Sequence, residues 1–189
     1  MQSPFRRSLV VVAALVVGTS AWAKDNAAHA DASFMKNAAE SGLAEVEASR
    51  MASTKAANTQ VKGFAQQMID DHTKANDELK ALAASKNITL PTEPDLVLKA
   101  RLKALSGEQG AKFDDRYAEQ FGVKAHEDSL RLFQNAANKS KDAEVKAFAQ
   151  KQLPTLQHHL EMAKDLRKTT RAERKDAPAA AAPGSAASR

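Results

Sequence analysis

The chain is 189 residues long, 43% apolar and 27% charged, which fits one soluble domain and is too short for two of ordinary size. Aromatic residues make up only 5%, with 7 glycines and 6 prolines, a balance that disfavours a β-sandwich or barrel and favours long helices. No cysteine is present, which excludes lipoprotein anchoring, disulfides, thiolate metal ligands and cysteine nucleophiles.

Residues 1–23 read as an export signal. Arg6 and Arg7 precede an apolar run from Leu9 to Val17, too short to span a membrane, and Ala21-Trp22-Ala23 follows as a small-x-small cleavage site. Cleavage after Ala23 starts the mature chain at Lys24 and places it in the periplasm with no transmembrane anchor left. Phe5 and Leu9 fit the twin-arginine order poorly, so the general secretory route is expected. The formal charge of +5 drops to +3 without the signal, and residues 167–189 carry +4 of it, so the core 24–166 is near −1. Basic charge on a tail rather than on a folded face argues against a nucleic-acid partner. It leaves only a weak, salt-sensitive contact between the tail and anionic envelope surfaces.

After a short lead at 24–30, Asp31 is a plausible N-cap, and Phe34, Ala38, Gly42, Glu45, Ala48, Ala52 and Ala56 form one helical stripe. Thr59 opens a second helix to about Lys86, with Val61, Phe64, Met68, His72, Leu79 and Leu82 inward. Pro91 and Pro94 prevent its continuation. A short helix from about Asp95 to Leu105 and a Ser106–Gly110 turn precede a third long helix, from about Lys112 to Asn138, presenting Phe113, Tyr117, Phe121, His126, Phe133 and Ala136. The fourth starts at Asp142, with Val145, Phe148, Leu156, His159, Ala163 and Leu166 inward and a kink expected at Pro154. The Ala/Pro-rich basic segment 171–189 has no period and is expected to be disordered.

Val61-Lys62-Gly63-Phe64-Ala65-Gln66 echoes Val145-Lys146-Ala147-Phe148-Ala149-Gln150 at five of six positions. Two helical hairpins with a connection of about 25 residues, long enough to cross a helix of about 40 Å, make an all-α four-helix bundle over 31–170 with a short extra helix between helices 2 and 3.

Ala44-Glu45-Val46-Glu47 with the Val61–His72 run, Phe113-Asp114-Asp115-Arg116-Tyr117 with His126, and Leu153-Pro154-Thr155-Leu156-Gln157-His158-His159-Leu160 resemble the two hairpins of a bacterial exported family, domain of unknown function 4142. The resemblance covers about residues 31–166 and implies a ferritin-like bundle and export. It implies no activity.

Ferritin-like di-iron centres take Glu from two helices and Glu-x-x-His from two more. Here Ile69 stands three residues before His72 and Leu156 three before His159, so that motif is absent and no catalytic residue is assigned. One polar residue per long helix remains at mid-height: Glu45, His72, His126 and His159. They suit either a buried packing network or a metal centre of imidazole-rich ligation for Zn, Cu or Fe. Asp70 and Asp71 are either solvated or orient a histidine. His158, about 100° from His159, should face solvent, and His29 lies in the lead. The expected function is a non-enzymatic envelope protein acting by binding or stress protection, as a monomer or weak homodimer. The alternative is a metal-binding or redox protein built on the central Glu/His cluster.

Overall fold

Between Thr19 and Pro91 no proline interrupts the chain, and alanine, the best helix former, recurs throughout. The computed structural model describes residues 19–176. It is all-helical: α1 (Thr19–Lys55), α2 (Thr59–Ser85), a short α3 (Leu96–Ser106), α4 (Gly110–Tyr117) running through a π-helical segment (Ala118–Lys124) into α5 (Ala125–Lys139), and α6 (Ala143–Asp176). There is no strand among the described residues.

The breaks fall where side chains satisfy the unpaired amides that open a helix. Asn58 Oδ1 accepts from the Gln60 and Val61 amides, Asp95 Oδ1 from Leu98, and Asp142 Oδ1 from Glu144 and Val145. Asp114, buried at the start of the third rod, accepts from the Ala57 and Asn58 amides at 3.1 and 2.8 Å and pins the α1–α2 turn.

Four end contacts set the directions. The α1–α2 turn meets both α4, through Asp114, and the end of α6, where Asn58 Nδ2 donates to Glu173. At the opposite end Lys86, after α2, pairs with Asp142 and Glu144 at the start of α6. The connection carrying α3 therefore climbs the whole length of the molecule. The third rod then runs parallel to α2, and α6 runs parallel to α1. α1 packs on α2 and α5, and α6 packs on α5 and α2, enclosing one core.

Three features differ from the sequence expectation. Residues 24–30 are helical, not a lead: α1 begins at Thr19, because Ala21–Ala30 holds five alanines and no breaker. α6 continues past Thr170 to Asp176, so residues 171–176 are ordered helix, held by Glu173 on Asn58 and by Arg174 on Asp115 at 3.0 Å. The third rod contains a π-helical segment that hydrophobic spacing did not reveal. Pro154 lies within α6, on its exposed side, and the helix continues beyond it. Most of the expected signal (1–18) and the remaining tail (177–189) lie outside the described residues. Among the described residues, no helix is long and apolar enough to cross a membrane.

Candidate metal centre

Glu45 on α1 and His72 on α2 stand at matched distances from the Asn58 turn, so antiparallel packing brings them level. His72 Nε2 lies 2.9 Å from Glu45 Oε2. His126 on α5 and His159 on α6 are offset by about five residues, measured from the second turn. Side chains lean toward the N-terminus of their own helix, which moves these two rings toward each other. The offset closes: the ring centroids of His72, His126 and His159 are 5.3–5.4 Å apart pairwise. All four residues named from the sequence converge, and all are buried, with exposures of 3% for Glu45, 7% for His72, 0% for His126 and 1% for His159. One ring nitrogen from each histidine lies within 4.8 Å of the others. His158 is exposed, as is His29.

The hydrogen bonds fix where the lone pairs are. His126 Nδ1 donates to the Gly122 carbonyl at 2.7 Å, which leaves Nε2 as the acceptor. His72 Nε2 sits 3.3 Å from that nitrogen and donates to it. His159 Nε2 donates to Asp71 Oδ2 at 2.9 Å, so its Nδ1 carries a lone pair; that atom is buried and has no partner. Glu45 Oε1 accepts from Ser129 at 3.2 Å. Glu45 Oε2 is close enough to His72 for charge attraction but lacks a hydrogen bond of acceptable direction. Two buried acceptors of the cluster therefore stand without a hydrogen bond, and each such group costs about 1–3 kcal/mol.

Electrostatics follow from the same contacts. Burial works to raise the Glu45 carboxyl, yet the charge and contact of His72, with His126 and Ser129 adding, hold it down at about 2. Burial works to lower His72, but Glu45, assisted by Asp71, reverses this and lifts it above the usual histidine value. His126 is lowered, by burial first and the His72 charge next, against the pull of Glu45. His159 falls to about 4: burial dominates, the Asp71 contact opposes it, and the neighbouring imidazoles add to it. The cluster thus holds one carboxylate and two neutral imidazoles, with a proton concentrated on His72.

The match to known proteins is at the level of family and fold. The profile described as Domain of unknown function (DUF4142) matches residues 17–166. The chain belongs to the DUF4142 family. No curated protein matches it. Among solved structures it is similar to a conserved hypothetical protein from Mycobacterium tuberculosis, at 13% identity and a TM-score of 0.53, over 82% of this chain and 98% of that one. That likeness shows a shared fold.

Several supporting residues of this DUF4142 chain were not legible as such. At the end of the π-helical segment the Ala125 amide reaches five residues back to the Gln120 carbonyl and also meets the Gly122 carbonyl, which accepts from the His126 imidazole as well. Gly122 also lets that segment approach α6: a Cβ there would meet Ala163 Cβ at 3.1 Å. Ser129, one turn beyond His126, had no signal beyond its spacing. One turn above Glu45, Ser49 Oγ shares a 2.8 Å hydrogen bond with the Tyr117 hydroxyl. Tyr117, read as core, is core, and burial pushes its hydroxyl above the ordinary tyrosine range. Asp71 is the acid that touches a histidine, whereas Asp70 is exposed and accepts from Gln66.

Proposed function

We propose that this DUF4142 protein binds one transition-metal ion at Glu45, His72, His126 and His159, in the middle of a ferritin-like four-helix bundle exported to the periplasm. The observation that carries the reading is a set of distances. His72 Nε2, His126 Nε2 and Glu45 Oε2 are separated by 2.9, 3.3 and 4.0 Å. A tetrahedral ion with ligand bonds of about 2.0–2.1 Å needs ligand–ligand edges of roughly 3.3–3.4 Å, so small side-chain shifts place these three atoms on one face of such a site. The buried His159 Nδ1, which has no partner, supports the same reading, because its lone pair is free to meet a cation. Three imidazoles and a carboxylate suit Zn, Cu or Fe and are poor ligands for Ca or Mg. A single carboxylate in the cluster fits one ion rather than a carboxylate-bridged pair.

The parallel α1/α6 and α2/α5 pairs with a full-length connection support the ferritin-like arrangement. The signal-like sequence of residues 1–23 supports export, and the intact mass of the periplasmic form should correspond to a chain beginning at Lys24. Within the envelope the protein then serves as a non-enzymatic metal binder.

Equilibrium dialysis of the chelator-treated protein against Zn, Cu and Co, followed by elemental analysis, tests the reading. The wild type should retain about one ion per chain. His72→Ala and His126→Ala should retain none, and His158→Ala should behave as wild type. A wild type that retains no ion, or histidine variants that retain it in full, would overturn it.

A further inference from the structure

Three of the four cluster residues have a second neighbour in common. Glu45, His72 and His159 line a cavity of about 30 Å³, which His126 does not reach. The lining also holds Phe133, Phe148 and Leu156, with the polar side chains of Asn76, Ser129, Gln152 and Thr155 among them. Phe133 and Phe148 are fixed there by packing on each other and on Phe34, with ring centroids 5.1–6.5 Å apart. The cavity reaches toward solvent between α2 and α6, where Asp71 is 41% exposed and Thr155 is exposed. Ligands of a purely structural ion are packed by protein on every side, because interiors fill their voids. Here one side of the cluster is left to something small.

We infer that the ion bound at this cluster expands from four to five ligands on its cavity side, and that this fifth position takes an exogenous lone-pair donor of two or three heavy atoms. The inference rests on the metal reading above and adds the ligand class to it. Size sets the limit: one water-sized sphere needs about 10–15 Å³ of such space, so about 30 Å³ admits two small atoms abreast and excludes a five-membered ring. The wall chemistry sets the type. Phe133, Phe148 and Leu156 stand beside the side chains of Asn76, Ser129, Gln152 and Thr155, so the far end of the ligand meets apolar surface and a few hydrogen-bonding groups, which suits a compact diatomic or triatomic donor such as azide.

Two alanines at the cavity wall supply the test without replacing a ligand residue: Ala75 on α2, half-buried, and Ala38 on α1, buried. The protein is loaded with Co(II), whose visible bands report coordination, and titrated with azide and, separately, with imidazole. Azide should shift the bands saturably at one per cobalt, and imidazole should not. Ala75→Leu and the milder Ala38→Val should keep cobalt at wild-type stoichiometry and lose at least tenfold in azide affinity. Either variant alone suffices if the other fails to fold. Wild-type protein that binds cobalt but shows no azide response overturns the inference and leaves the metal reading standing. Imidazole binding as well as azide, or variants binding azide undiminished, places the ligand outside the cavity and also overturns it. Failure to bind cobalt at all sinks both.

Discussion

Glu45→Ala removes the one buried acid of the cluster, and its cost should depend on pH in a direction the structure dictates. In the metal-free wild type, His72 titrates above its ordinary value because of Glu45, so the stability it contributes is fully present below about pH 6.5 and is lost as pH rises through the elevated value. Glu45, held near 2, contributes above its ordinary 4.5 and loses that contribution only as pH falls toward 2. At about pH 5.5 both are charged and the pair is at full strength. Without Glu45, burial acts on His72 against only the smaller pull of Asp71 and drives it below 6.5. A histidine kept neutral in the fold but protonated in the unfolded chain costs about 1.4 kcal/mol per pH unit below that value. The variant should therefore lose about 1–2 kcal/mol at about pH 8, chiefly from the unpaired Ser129 hydroxyl and the lost contacts. At about pH 5.5 it should lose roughly 2 kcal/mol more, as the neutral-His72 cost adds to the vanished pair. For a chain of this size each kcal/mol moves the melting temperature by about 2–4 °C. Thermal melts of wild type and variant in chelator at the two pH values read this difference directly. A destabilisation equal at both, or larger at about pH 8, would refute the account of how Glu45 and His72 are coupled.

Two further substitutions probe the surroundings. Asp71→Ala should leave the fold intact, since Asp71 is 41% exposed, yet weaken metal binding by about 10–100-fold because His159 loses the acceptor that fixes its tautomer; competition with a chromophoric chelator measures this, and unchanged affinity would contradict it. Ser49→Ala should cost about 1–3 kcal/mol by leaving the Tyr117 hydroxyl buried and unpaired, while Ser49→Ala combined with Tyr117→Phe should cost less than the two single changes added together, as urea unfolding of the four proteins will show.

The four cluster positions were readable because helix geometry is regular. Residues at equal distances from an Asn58-capped turn must meet, and a polar side chain on an apolar stripe must face its opposite numbers. What the sequence hid was whatever departs from that regularity or depends on a single atom. The π-helical segment inserts an irregular stretch into the third rod, and nothing in the Ala118–Lys124 composition separates it from an ordinary helix. That the Gly122 carbonyl within it accepts from the His126 imidazole is invisible to residue spacing. Asp70 and Asp71 were indistinguishable as neighbours; the rotation of α2 against α6 decides that Asp71 touches His159. The ends of α1 and α6 were misjudged for a related reason. Alanine-rich sequence has no amphipathic period to mark where a helix stops, and the contacts that hold α6 to Asp176 come from Asn58 and Asp115, distant in sequence.

The most direct measurement is the anomalous difference map of crystals grown with Zn or Cu. The account predicts one strong peak per chain within bonding distance, about 2.0–2.3 Å, of His72 Nε2 and His126 Nε2, with Glu45 and His159 completing the set. Peaks confined to the surface at His158 or His29, with none among the four buried side chains, would contradict it and leave the cluster as a packing network.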